Sequence, residues 1–122
     1  IRATDPENID ALMLLGMVQR AKKKYDEAIE TYKEVMYIDG DHAPAIYERA
    51  EVYMLQEKPQ WAQKFYERAL RADPKHARAE LGLAKIAKLR NDKAGYVMHL
   101  TKAYQLDPDD KEIKEEYKRS QK

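Results

Sequence analysis

The chain has 122 residues, 37% of them charged and 43% hydrophobic, with 23 basic against 22 acidic side chains and a net charge of +1. That is one domain's worth of chain with a heavily solvated outer face, and its charge balance gives no general pull toward nucleic acid or an anionic membrane. There is no cysteine, which excludes disulfides and thiolate chemistry, and no apolar run approaches the roughly 20 residues of a membrane-spanning helix.

A helix breaker recurs every 34 residues, at Asp5-Pro6, Asp39-Gly40, Asp73-Pro74 and Asp107-Pro108. Each interval has room for two helices of about a dozen residues and a tight turn. Repeats are therefore expected over 7–40, 41–74 and 75–108, followed by a capping helix and polar tail over 109–122. Residues 1–6 read as the remnant of a preceding repeat, because Ile1-Arg2-Ala3-Thr4-Asp5-Pro6 parallels Leu70-Arg71-Ala72-Asp73-Pro74 with one residue added. More repeats are expected upstream.

In chain order, Asn8 is placed as the N-cap of a first helix running to about Lys22. Its apolar residues, from Ile9 to Ala21, exceed a single stripe. The helix at about Tyr25–Ile38 shows a clean three-four spacing in Tyr25, Ala28, Ile29, Tyr32, Val35 and Met36. Gly40 is expected to end it in the left-handed conformation. Helices follow at about Ala43–Gln56, with Pro44 in the first turn, and at about Pro59–Ala72. The third pair spans about Ala77–Arg90 and Lys93–Leu106, and its internal Gly82 and Gly95, at about 1 kcal/mol each relative to alanine, make it the expected soft part of the array. The last helix, about Lys111–Ser120, has Ile113 and Tyr117 to bury and is otherwise charged, as the open end of a stack requires.

This pattern resembles the tetratricopeptide repeat, with large and small residues at fixed places in each helix. The resemblance rests on Leu12, Leu15-Gly16, Ala28, Tyr32 and Gly40 in the first unit. It continues through Ile46, Ala50, Tyr53, Ala62, Tyr66, Ala69 and Pro74, then Leu83-Ala84, Leu100, Ala103 and Pro108. It implies an all-α, right-handed superhelical solenoid of about three helix-turn-helix repeats plus a C-terminal capping helix. Gly16, Ala50 and Ala84 are expected where two helices of a hairpin approach, and Tyr32, Tyr66 and Leu100 as knobs between units. Gln19, Ala87 and Tyr96 depart from the family pattern.

No nucleophile motif, phosphate-cradling glycine loop or metal-ligand cluster stands out, so no catalytic, metal or cofactor site is expected. His42 and His76, one repeat apart, are assigned to N-cap positions, because helices packed about 8–10 Å apart keep them from sharing one metal. Lys22-Lys23-Lys24, beside Asp26-Glu27, reads as a solvated turn, and the tyrosines as packing residues, so nucleic-acid binding is not expected.

What remains is the groove that the first helices line in this family. By matching positions its lining is Met13, Leu14, Met17 and Arg20, then Tyr47, Glu48, Glu51, Met54 and Leu55, then Arg78, Leu81, Lys85, Lys88 and Leu89. Co-chaperones of the family that grip acidic C-termini need lysine and asparagine where Met13, Met17 and Glu48 stand. Only Arg78 fits, so that carboxylate clamp is expected to be absent. The lining grades from apolar and methionine-rich to acidic to basic, which would suit a protein or peptide partner oriented end to end. A self-associating structural array, or a docking domain of a larger protein, is the alternative.

Overall fold

The computed structural model describes residues 6–122, and the expectation for the preceding remnant lies outside them. Seven α-helices follow one another: α1 (Pro6–Ala21), α2 (Tyr25–Ile38), α3 (Ala43–Leu55), α4 (Pro59–Ala72), α5 (Ala77–Leu89), α6 (Lys93–Leu106) and α7 (Lys111–Ser120). Helices α1–α2, α3–α4 and α5–α6 form antiparallel hairpins, and each hairpin's second helix packs on the next first helix, ending with α6 on α7. The fold is an all-α repeat solenoid. No helix among the described residues is long and apolar enough to cross a membrane.

The turn inside each hairpin is the same structure three times. Lys23, Glu57 and Asn91 have φ of 64°, 60° and 58°, the left-handed region, at 34-residue intervals. After each of them a backbone N–H reaches five residues back, from Lys24 to Gln19 at 2.8 Å, from Lys58 to Tyr53 at 2.9 Å and from Asp92 to Ala87 at 2.9 Å. Those bonds satisfy carbonyls at the helix end that would otherwise lack partners. The joint between hairpins is built differently. Asp39 and Asp73 close α2 and α4 in extended conformation, and no glycine among the described residues has a positive φ. The left-handed conformation expected at Gly40 is therefore not adopted there, and the joint after α2 is made by extended Asp39.

The N-termini of α3 and α5 are capped by histidine, as expected: His42 Nδ1 accepts from the Ala45 N–H and His76 Nδ1 from the Ala79 N–H, both at 3.2 Å. Asp92 and Asp110 play the same part for α6 and α7. Asn8 does not start α1. The helix already includes Pro6, two residues ahead of it.

Three core clusters sit in series between the hairpins. The first joins α2 residues Ala28, Tyr32 and Val35 to Ala45 and Val52 of α3. The second joins Ala62, Tyr66 and Ala69 of α4 to Ala79, Leu83 and Ile86 of α5. The third joins Leu81, Leu100 and Ala103 to Ile113 of α7. Tyr32, Tyr66 and Leu100, the expected knobs, are at most 1% exposed. Glycine makes room for two of them. A Cβ at Gly16 would sit 2.5 Å from the Tyr32 ring, and one at Gly82 would land within the Tyr66 ring's contact distance. Gly82, read in sequence as a cost to α5, is thus required by the preceding hairpin.

Gly82→Ala should destabilise the protein by about 2 kcal/mol, because displacing a buried ring outweighs the roughly 1 kcal/mol gain in helix propensity. Urea unfolding checks this. A variant as stable as the parent or more so would show that the Tyr66 ring is free to move aside.

Candidate functional site

Among the first helices α1, α3, α5 and α7, ion pairs between residues about one repeat apart link α1 to α3 and α5 to α7. Arg20 Nη1 lies 2.7 Å from Glu48 Oε1, linking α1 to α3. Arg78 on α5 bonds Asp110 Oδ2 at 2.9 Å and Glu112 Oε1 at 3.0 Å. Lys85 Nζ meets Glu112 Oε2 at 2.5 Å, and Lys88 Nζ meets Glu116 Oε2 at 3.3 Å. Helix α7 thus answers every basic side chain that the sequence assigned to the third part of the groove.

The remaining expected site residues divide by burial. Leu14 is 64% exposed, and Met17, Leu55 and Leu89 are also open to solvent. Met13 and Met54 are half-buried against the first and second cores. Tyr47 is buried, its ring 4.8 Å from His76 and 5.9 Å from Tyr66. Glu51 accepts the Tyr66 hydroxyl. Leu81 is 2% exposed and belongs to the third core, so it offers no surface to a ligand, contrary to its expected place in the lining. Glu48, Arg78, Lys85 and Lys88 each pair with a residue of another of these helices, about one repeat away in sequence.

Burial and pairing set the electrostatics of this row. Burial raises the Glu48 carboxyl, with Arg20 opposing. Burial also pushes the Tyr32 hydroxyl up to about 12, with Glu48 adding to it, and raises Tyr66 through burial and Glu51 together. Both hydroxyls therefore keep their protons at neutral pH. The Lys85 hydrogen bond holds Glu112 below the usual carboxylate range. For Glu116, burial pushes upward, but hydrogen bonds from Tyr96, Arg119 and Lys88 win and hold it at about 2. Burial lowers His76, which suits an Nδ1 that accepts a backbone hydrogen bond.

Sequence reasoning missed two buried acids. Glu116 is 8% exposed and Glu80 is 7% exposed, with Glu80 Oε1 lying 2.8 Å from His99 Nδ1. Glu80 occupies the place that Leu12 and Ile46 hold in the other units, and that departure was the available signal. Among the described residues no group of three or more histidine, aspartate or glutamate side chains could hold a metal ion. Lys22, Lys23 and Lys24 are exposed.

Stacked helical hairpins, capped by one more helix and carrying a bridged row of first helices, define a helical-repeat solenoid. A tetratricopeptide repeat family model matches residues 19–86, and the chain belongs to that family. It is 35% identical over 65 residues to Tetratricopeptide repeat protein 8 of Caenorhabditis elegans, a stretch covering 53% of this chain and 13% of that protein. The chain therefore spans a small part of that relative's length. Among solved structures it is similar to the first tetratricopeptide repeat domain of Spaghetti (RPAP3) bound to the HSP90 peptide SRMEEVD. The TM-score is 0.84 at 19% identity, over 97% of this chain and 94% of that one. It is similar also to the Yersinia enterocolitica type III secretion chaperone SycD in complex with a peptide of the translocator YopD. There the TM-score is 0.83 at 18% identity, over 96% and 89% of the two chains. Identities this low bear on the fold alone.

Glu116 carries a pH prediction. Its ordinary value is 4.5 and its folded value about 2, so its contribution is complete above about pH 4.5 and is lost as pH falls toward 2. Glu116→Gln should cost about 2 kcal/mol at pH 7, after allowance for its solvent-exposed partners, and should flatten the fall in stability between pH 5 and 3. Denaturant unfolding across that range tests it; parallel pH profiles for parent and variant would contradict the assignment.

Proposed function

We propose that the chain is a non-catalytic protein-interaction scaffold that holds a peptide or helix of a partner protein along its row of first helices. The observation that carries this reading is the exposed apolar set Leu14, Met17, Leu55 and Leu89 on that row, amid charges already paired within the chain. Exposed methionine and leucine give adaptable apolar contact. The paired charges contribute specificity at the rim more than affinity. Peptide complexes of the two structural neighbours support this use of the fold. The partner is anchored by apolar side chains, and charge orients it only weakly.

The ligand is not a free acidic C-terminus. A carboxylate clamp needs lysine and asparagine where this chain has Met13, Met17 and Glu48. Its single matching cation, Arg78, is already engaged by Asp110 and Glu112.

Two measurements test this. Met17→Glu combined with Leu55→Glu should keep the melting temperature, since both side chains are exposed, and should weaken partner capture from the source cell by at least about tenfold. Undiminished capture would move the site to another face. The peptide SRMEEVD should show no binding in calorimetry at about 100 μM, and a micromolar Kd would restore the clamp.

A further inference from the structure

The third hairpin departs from the first two at Tyr96, which stands where Ala28 and Ala62 are fully buried. The larger ring stays half-buried, and its hydroxyl donates to Glu116 of α7. Beside it a cavity of about 390 Å³ opens between the α5–α6 turn and the C-terminal end of α7. Tyr96 and Val97, the latter 47% exposed, give this cavity an apolar wall. Its polar lining is basic, with Lys88 from α5, Lys93 at the start of α6 and Lys122 after α7. Lys88 is already shared, 3.3 Å from Glu116 and 5.5 Å from the centre of the Tyr96 ring. Lys93 and Lys122 have no carboxylate partner among the described residues. The acid on the lining, Asp92, is spent on its own helix, where Oδ1 accepts the Gly95 N–H at 2.9 Å.

We propose that this cavity binds a phosphate monoester carried on a small apolar body, such as an aryl phosphate, independently of the apolar contacts along the first helices. A monoester phosphate carries a charge of about −1.5 to −2 at pH 7 and three strong acceptor oxygens. Lys93 and Lys122 bring two uncommitted cations to answer that charge, and the side-chain amide of Asn91, also on the lining, adds a neutral donor. A carboxylate has one charge and two oxygens, and would leave part of this set unanswered. The wall of Tyr96 and Val97 takes the apolar body, which a bare inorganic ion lacks. The volume falls within the roughly 300–1,000 Å³ of small-ligand sites.

Titration of the full chain with phenyl phosphate tests this, followed by amide NMR in phosphate-free buffer at about 20 mM salt, where screening is weak. Shifts should gather at residues 91–97 and 120–122, with a Kd of about 1 mM or tighter. Lys93→Gln, at an exposed position, should weaken binding at least about fivefold. Lys102→Gln, on the same helix but away from the cavity, should change it by less than about twofold. Inorganic phosphate and benzoate should each bind at least about fivefold more weakly than phenyl phosphate. An absence of shifts at about 10 mM phenyl phosphate overturns the proposal, and so does binding that Lys93→Gln leaves unchanged. Equal affinity for inorganic phosphate would remove the apolar body from the ligand, and equal affinity for benzoate would replace phosphate by carboxylate; either overturns the assigned ligand class.

Discussion

A buried side chain from each second helix, wedged against the next first helix, is the contact on which the rest of this structure depends. Tyr66 shows it most fully. Its ring rests where Gly82 leaves room, its hydroxyl bonds Glu51, and Tyr47 packs 5.9 Å away. Tyr32 and Leu100 serve the neighbouring joints. Burying such side chains contributes about 1.5–3 kcal/mol each, on the order of what a nearest-neighbour term in a repeat array needs to supply. With these wedges in place the first helices stand in a row at fixed spacing. The ion pairs between Arg20 and Glu48, and from α5 to α7, are consequences of that spacing.

This order of causes changes how the row works as a surface. A list of charges along α3 and α5 suggests a ligand steered by its own charges. In the folded chain Arg78 already meets Asp110 and Glu112, Lys85 meets Glu112 and Lys88 meets Glu116, so a ligand's acids would compete with those of α7 for these cations. Breaking a partly buried pair leaves an uncompensated charge, which is costly. Apolar contact at Leu14, Met17, Leu55 and Leu89 carries no such penalty. Helix α7 accordingly does two jobs. It covers Leu100 with Ile113, and its acids neutralise the basic end of the row.

Most of the fold was legible because its signals are local and repeat. The 34-residue breakers, the three-four spacing of Tyr25, Ala28, Ile29 and Tyr32, and the cap positions of His42 and His76 each depend on neighbours in sequence. Gly40 misled because glycine's freedom permits a left-handed turn without requiring one. The chain instead takes that conformation at Lys23, Glu57 and Asn91, where the helix-ending hydrogen bonds demand it. The candidate site was less legible, because its character depends on contacts between repeats. Nothing in α5 alone says that Arg78 meets residues 32 and 34 positions ahead, that Leu81 turns into the third core, or that Tyr66 needs Gly82. Periodicity places a residue on a face, but the neighbouring hairpin decides whether that face is surface.

The central claim is that a partner lies along the first helices and touches their apolar side chains. Site-specific photo-crosslinking tests it most directly, with a crosslinking residue at Leu55 on the row and, in a separate protein, at Tyr37, which is 90% exposed on the second helix α2. In lysate of the source cell, adducts should form from Leu55 and not from Tyr37. Adducts from Tyr37 alone, or equally from both, would contradict the account and place recognition outside the first-helix row.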